Sequence, residues 1–172
     1  MTLLYLAGIA DDLVGIRYRA KFIIQIICGI LLTGSGIWVR SFYGFMGLYG
    51  LNIWYGGILA IILVVFITNA INLIDGIDGL SSGYCIMACL IFGTLFYLSN
   101  DVPMLMLAAV SLGSLLPFFF HNVVGEKSKM FIGDGGTLLM GVIMSSFVIN
   151  ILKSDSLVAA CSADGIGLIP FT

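Results

Sequence analysis

Asn69, Asn72, Asp75 and Asp78 recur at a strict three-residue spacing, at the end of an uncharged apolar run that starts near Gly56. On a continuous helix such residues share a face, so two amides and two carboxylates form one slanting row. Groups of this kind are costly to insert into a bilayer and usually mark a polar site there. Gly76 and Gly79 predict that the helix breaks at this point and lets backbone approach a ligand closely. An ordinary Asp–Gly turn at a helix end is the competing reading. It leaves the asparagines on the preceding turns unexplained.

Two further stretches carry the same oxygen donors. Asp11 and Asp12 are adjacent at the end of an apolar piece, where a divalent cation or a proton would relieve their repulsion. Taken alone, the pair reads equally as a solvated cap on the next helix. The run Lys129-Met130-Phe131-Ile132-Gly133-Asp134-Gly135-Gly136-Thr137 sets one carboxylate among glycines at a predicted helix start. Backbone N–H groups exposed there favour an anionic phosphate. Asp and Asn oxygens without a thiolate or imidazole cluster suit Mg²⁺ or Mn²⁺ rather than zinc. Carboxylates, a hard cation and basic residues together suit phosphoryl-group chemistry on a diphosphate. The sequence has no Walker lysine motif and no kinase signature, so ATP hydrolysis is not indicated. His121, the single histidine, reads as an interfacial side chain capping the preceding helix rather than as a catalytic group.

Composition sets the elements that must hold these residues. Of 172 residues, 60% are apolar and 9% charged, and the mean hydropathy is +1.17; a soluble domain carries about a quarter charged residues. The fold class is therefore all-α, a polytopic membrane helix bundle. About five complete transmembrane helices are expected, over residues 22–39, 56–74, 82–100, 104–120 and 137–152, with partial helices at both ends. Trp38, Tyr43, Tyr49, Trp54 and Tyr55 suit an interfacial connection between the first two spans. Cys28, Cys85, Cys89 and Cys161 lie in or beside apolar runs and read as packing residues. Alternation puts the loops at 10–21, 75–81 and 121–136 on one face, with Arg17, Arg19, Lys21, Lys127 and Lys129; the other face holds only Arg40 and Lys153. The excess of basic residues places the first face in the cytoplasm, and all three acidic stretches lie on it.

The segment Asn69-Ala70-Ile71-Asn72-Leu73-Ile74-Asp75-Gly76-Ile77-Asp78-Gly79-Leu80 closely resembles the signature of the polyprenyl-phosphate N-acetylhexosamine-1-phosphate transferases. These multi-pass enzymes move a sugar 1-phosphate from a UDP-sugar to a lipid phosphate. Gly8-Ile9-Ala10-Asp11-Asp12-Leu13 is similar to the family's paired-aspartate motif, and Phe131-Ile132-Gly133-Asp134-Gly135-Gly136-Thr137 to its third motif. Three motifs in the family's order, on one predicted membrane face, make the resemblance specific. It implies a single membrane-embedded transferase domain over residues 1–172.

The resemblance implies roles by position. Asp134 is similar to the family's Mg²⁺ ligand, with Asn72 and Asp75 completing or supporting the metal site and Mn²⁺ as a substitute. Asp11 or Asp12 resembles the residue that deprotonates or orients the acceptor lipid phosphate, and Asp75 joins them as a candidate catalytic group. Gly76, Ile77, Asp78 and Phe131 match positions that hold the uracil, Phe131 by stacking. Lys21 and Gln25 resemble a Lys and a Gln of the helix after the paired aspartates, where Lys21 could meet a phosphate. Asn69 and Asn122 complete the substrate-binding candidates, although the segment from Asn122 to Phe131 is a little longer than usual for the family.

The implied reaction transfers an N-acetylhexosamine 1-phosphate to undecaprenyl phosphate and releases UMP, for cell-envelope polysaccharide synthesis. Residues 74–78 look more like the GlcNAc-1-phosphate branch than the muramoyl-pentapeptide branch. The implied setting is a bacterial plasma membrane with the active site facing the cytoplasm. The implied partners are a UDP-N-acetylhexosamine, undecaprenyl phosphate, the membrane and a second copy of the chain as a homodimer, with no nucleic acid. Members of the family carry further helices on both sides of this region and a His-rich loop. The expectation is therefore a chain truncated at both ends that keeps the metal and uridine elements and is inactive alone. The competing class is a transporter or channel with an acidic cytoplasmic mouth, which predicts polar residues at mid-membrane depth in several helices.

Overall fold

The computed structural model describes residues 6, 8, 18–41, 50–77, 79–124 and 132–153. The ordered elements among them are five helices: α1 (Tyr18–Gly34), α2 (Ile53–Ile74), α3 (Leu80–Leu98), α4 (Val102–Val124) and α5 (Gly133–Lys153). Helices α2 to α5 are long and apolar enough to cross a membrane. Helix α1, at 17 residues, rises about 25 Å. The all-helical membrane bundle read from composition is the fold observed.

The helix boundaries follow local chemistry that hydropathy does not see. The first span stops at Gly34 instead of reaching residue 39, because Gly36 takes a left-handed φ of 85° and the chain turns out of the helix. Beyond the turn the backbone is held by a hydrogen bond from the Leu51 N–H to the Arg40 carbonyl, 2.9 Å. Helix α4 starts at Val102, where the Asp101 carboxylate accepts the Met104 N–H at 3.3 Å and so caps the first turn. It runs on to Val124, which draws His121 and Asn122 out of the expected loop and into its last turns. Helix α5 begins at Gly133, four residues earlier than the hydrophobic pattern suggests. Asp134 therefore sits in its first turn, where the helix dipole favours a negative charge.

Helix α2 packs along α5, α3 against α4, and α1 against α2. Helix α5 is the centre of the bundle, with its side chains from Leu138 to Phe147 mostly buried. One face of it meets Ile71, Cys85, Cys89 and Phe96, where the Phe96 and Phe147 rings lie 5.4 Å apart, edge to face. The opposite face meets Ala60 and Val64 through Leu138, Val142 and Ile149. The outer surface is apolar: Leu73 is 81% exposed and Val110 71%. Such a surface is stable against lipid tails, where close packing rather than water exclusion holds helices together. Trp54 and Tyr55 project from the start of α2, and the Arg40 guanidinium lies 5.6 Å from the centre of the Trp38 ring, as suits an interfacial connection.

Candidate active site

Three helices meet at Asp134. The Lys21 Nζ on α1 donates to Asp134 Oδ2 at 2.7 Å, and the Asn72 Nδ2 on α2 donates to Asp134 Oδ1 at 2.5 Å. The same Asn72 nitrogen reaches Thr137 Oγ1 at 2.9 Å, and the Thr137 hydroxyl is within reach of the Gly133 and Asp134 carbonyls of its own helix. Both Asp134 oxygens thus accept from protein donors brought from 113 and 62 residues away in the chain. The cluster is not sealed: Lys21 is 21% exposed and Asp134 33%.

Asp75 ends α2 and turns toward the start of α5. Its Oδ1 accepts the Ser81 hydroxyl at 2.5 Å, and its carboxylate also accepts the Ile132 and Gly133 backbone N–H groups. Asp75 therefore caps a helix to which it does not belong, satisfying amide groups that otherwise lack partners. Two of the amides expected to face a phosphate are used in this way. Burial raises the Asp75 carboxyl above its ordinary value; the three hydrogen bonds pull it back in part, and the nearby Asp134 charge adds to the rise.

The row of polar residues on α2 divides its work. Asn72 and Asp75 reach α5, whereas the Asn69 Nδ2, one turn earlier, donates to the Gln25 Oε1 on α1 and to the Val65 carbonyl, both at 2.7 Å. Lys21 and Gln25 lie one turn apart on α1, so this helix meets the polar row at two levels. The helix breaks after Ile74 as predicted, and Gly79 opens α3 with a left-handed φ of 74°. A Cβ on Gly79 would stand 2.5 Å from Val123 Cγ2, so the turn is pressed against the last turn of α4. Asn122 is buried in that turn. Gly76 and Ile77 lie exposed on the turn itself.

Gly8, which opens the first motif, lies at the same corner. A Cβ on Gly8 would fall within 3 Å of Gly135 N and Cα, so the chain three residues before Asp11 runs directly against the start of α5. Asp11, Asp12, Asp78 and Phe131 themselves lie outside the described residues. Two contributors were not anticipated from the sequence. Thr137 stands in the sequence only as the end of a motif, and Ser81 carries no motif; their signals are hydroxyls three residues after Asp134 and just beyond the Asp–Gly turn.

Residues 1–152 match the model of Glycosyl transferase family 4. The chain belongs to this family. It is 32% identical over 154 residues to the "Probable undecaprenyl-phosphate N-acetylglucosaminyl 1-phosphate transferase" of Bacillus subtilis, covering 87% of this chain and 42% of that protein. It is 30% identical over 152 residues to a "Phospho-N-acetylmuramoyl-pentapeptide-transferase" of Streptococcus equi subsp. zooepidemicus, covering 83% of this chain and 43% of that protein. A protein of the latter name from Lactiplantibacillus plantarum is 38% identical over 96 residues, covering 56% of this chain and 29% of that protein. The chain thus spans less than half the length of these curated relatives. The carboxylate oxygens of Asp134 and Asp75 and the amide oxygen of Asn72 are donor types that would suit a Mg²⁺. Among the described residues, no three His, Cys, Asp or Glu side chains gather to hold an ion by themselves.

Proposed function

We propose that this chain forms the metal and donor site of an enzyme that transfers an N-acetylhexosamine 1-phosphate from a UDP-sugar to undecaprenyl phosphate, releasing UMP. The observation that carries the reading is the meeting of Lys21, Asn72 and Asp134 at one end of a membrane bundle. Two relatives bear names that state sugar 1-phosphate or phospho-sugar transfer. Residues 74–78 favour GlcNAc 1-phosphate as the transferred group, and the basic residues of the same end favour the cytoplasmic face of a bacterial plasma membrane. The product belongs to cell-envelope polysaccharide synthesis.

In this reading Asp134 would hold Mg²⁺, with Asn72 and Asp75 beside it, and a cation held there would supply charge to offset that gathering on the departing UMP. Lys21 contributes a mobile positive charge next to the same carboxylate, suited to a phosphate oxygen. The exposed turn at Gly76 and Ile77, with Asp78 and Phe131, receives the uracil. Asp11 and Asp12 orient or deprotonate the lipid phosphate. One of its oxygens then attacks the phosphorus bonded to the sugar, and the bond from that phosphorus to UMP breaks.

The test uses the purified chain in lipid nanodiscs with labelled UDP-GlcNAc, undecaprenyl phosphate and Mg²⁺. Donor binding that requires Mg²⁺ and is lost in Asp134→Ala is the expected result, and label recovered in the lipid would extend it to full transfer. An absence of metal-dependent donor binding with UDP-GlcNAc and with other UDP-N-acetylhexosamines would overturn the reading.

A further inference from the structure

Asp134 accepts on both oxygens, from an ammonium on one and an amide NH₂ on the other, and a cation bound there would compete with both. Lys21 brings a full positive charge to Oδ2 at 2.7 Å, and Asn72 presents its NH₂ rather than its carbonyl oxygen to Oδ1. A divalent ion on this carboxylate repels the ammonium at such a distance, and an amide can ligate a metal only through its oxygen. We infer that Lys21 and a divalent cation exchange on Asp134, so that ion entry releases the Lys21 ammonium and turns the Asn72 amide over. The inference rests on the reading of Asp134 as a metal ligand and adds what the protein's own side chains must do.

Three features make the exchange physically cheap. Lys21 and Asp134 are both partly exposed at the end of the bundle, so the pair is open to an incoming ion without unpacking the helices. The lysine stem has four rotatable carbons, and its head is a compact, strongly hydrated charge that gains little from one fixed geometry. Thr137 sits against the amide that must turn. Its hydroxyl now accepts from the Asn72 Nδ2 while carbonyls of its own helix lie within reach, and it can donate to the Asn72 Oδ1 once the amide has turned. The released ammonium stays tethered by its stem beside Asp134, where it would be available to a phosphate oxygen. The exchange thus couples ion entry to the arming of a phosphate-binding lysine.

The exchange has a readout that requires no turnover. Free Mn²⁺ is followed by its electron paramagnetic resonance signal as the protein in detergent is titrated with the ion. Lys21→Met is expected to bind Mn²⁺ more tightly than wild type by roughly two- to fivefold, the scale of a partly exposed ion pair. Unchanged or weaker binding in Lys21→Met would overturn the exchange while leaving the metal site intact. No Mn²⁺ binding by wild type, or equal binding by Asp134→Asn, would instead remove the metal reading and the exchange with it. A second measurement avoids any variant: the rate at which an amine-reactive acetylating reagent modifies Lys21, read by mass spectrometry with and without Mn²⁺. Faster modification of Lys21 with the ion is expected, and an equal or slower rate would overturn the proposal.

Discussion

Gly141 of α5 lies so close to Thr68 of α2 that a Cβ on the glycine would stand 2.5 Å from the Thr68 Cα. The two helices therefore touch backbone to backbone about two turns below Asp134 and one turn below Asn72. That approach brings the Asn72 amide within reach of the Asp134 carboxylate. Gly141→Val should wedge the helices apart and destabilise the protein by roughly 1–3 kcal/mol. Donor binding by the molecules that remain folded should fall as well, as read by thermal melting alongside a binding assay. A variant that melts and binds like wild type would show that the contact does not set the site.

Asp134→Ala is expected to abolish metal-dependent donor binding and transfer, because it removes the carboxylate shared by α1, α2 and α5. Cys85→Ala, a change in the packed core, should leave both within about threefold. Normal activity after the Asp134 change would overturn the metal assignment.

Thr137 should matter through Asn72. Thr137→Val removes the hydroxyl that steadies the Asn72 amide and should weaken metal-dependent binding by about fivefold, the value of one hydrogen bond, whereas Thr137→Ser should restore it. Equal binding by the valine and serine variants would remove Thr137 from the site.

Asp75 gives the site a pH signature. Its folded carboxyl is raised above the ordinary 3.8 chiefly by burial, so between the two values the folded state binds the proton more tightly than the unfolded state. The contribution of Asp75 to stability is therefore fullest below 3.8 and declines as pH rises through the raised value. Asp75→Asn has no such proton to lose. With a chelator present, the difference in melting temperature between variant and wild type should move in favour of the variant as pH rises from the acid side. A difference independent of pH would contradict the raised value.

The far end of the bundle offers a contrast. Asp101 caps α4 with Oδ1 and accepts the Asn150 Nδ2 of α5 with Oδ2 at 2.9 Å. Asp101→Ala loses a cap and an interhelical bond and should cost about 1–2 kcal/mol of stability. Donor affinity per folded molecule should not change, since Asp134 lies at the opposite end of α5. A selective loss of binding at unchanged stability would mean that the two ends are coupled.

Much of the site was legible as spacing. Asn72 and Asp75 announce themselves by their three-residue interval, and Asp134 by its glycines. Their partners were less visible. Asn69 follows the same interval yet turns to Gln25, because each step of three residues on a helix falls short of a full turn and the row drifts around the axis. Glycine and capping residues moved the helix ends: Gly36 shortened the first span, and Asp101 and Gly133 advanced the last two. A hydropathy count does not register these, because it averages over residues and ignores backbone angles.

The sequence by itself determined a membrane-spanning helical protein, because so few charges leave only lipid as a solvent for its surface. It also determined the end of the bundle at which oxygen donors gather, because charged residues are confined to span ends. Only the tertiary structure decided which donors touch. Lys21 and Asp134 stand 113 residues apart in the chain, and no local pattern encodes their 2.7 Å contact. That contact follows from how α1, α2 and α5 pack, and packing depends on the fit of whole helix faces.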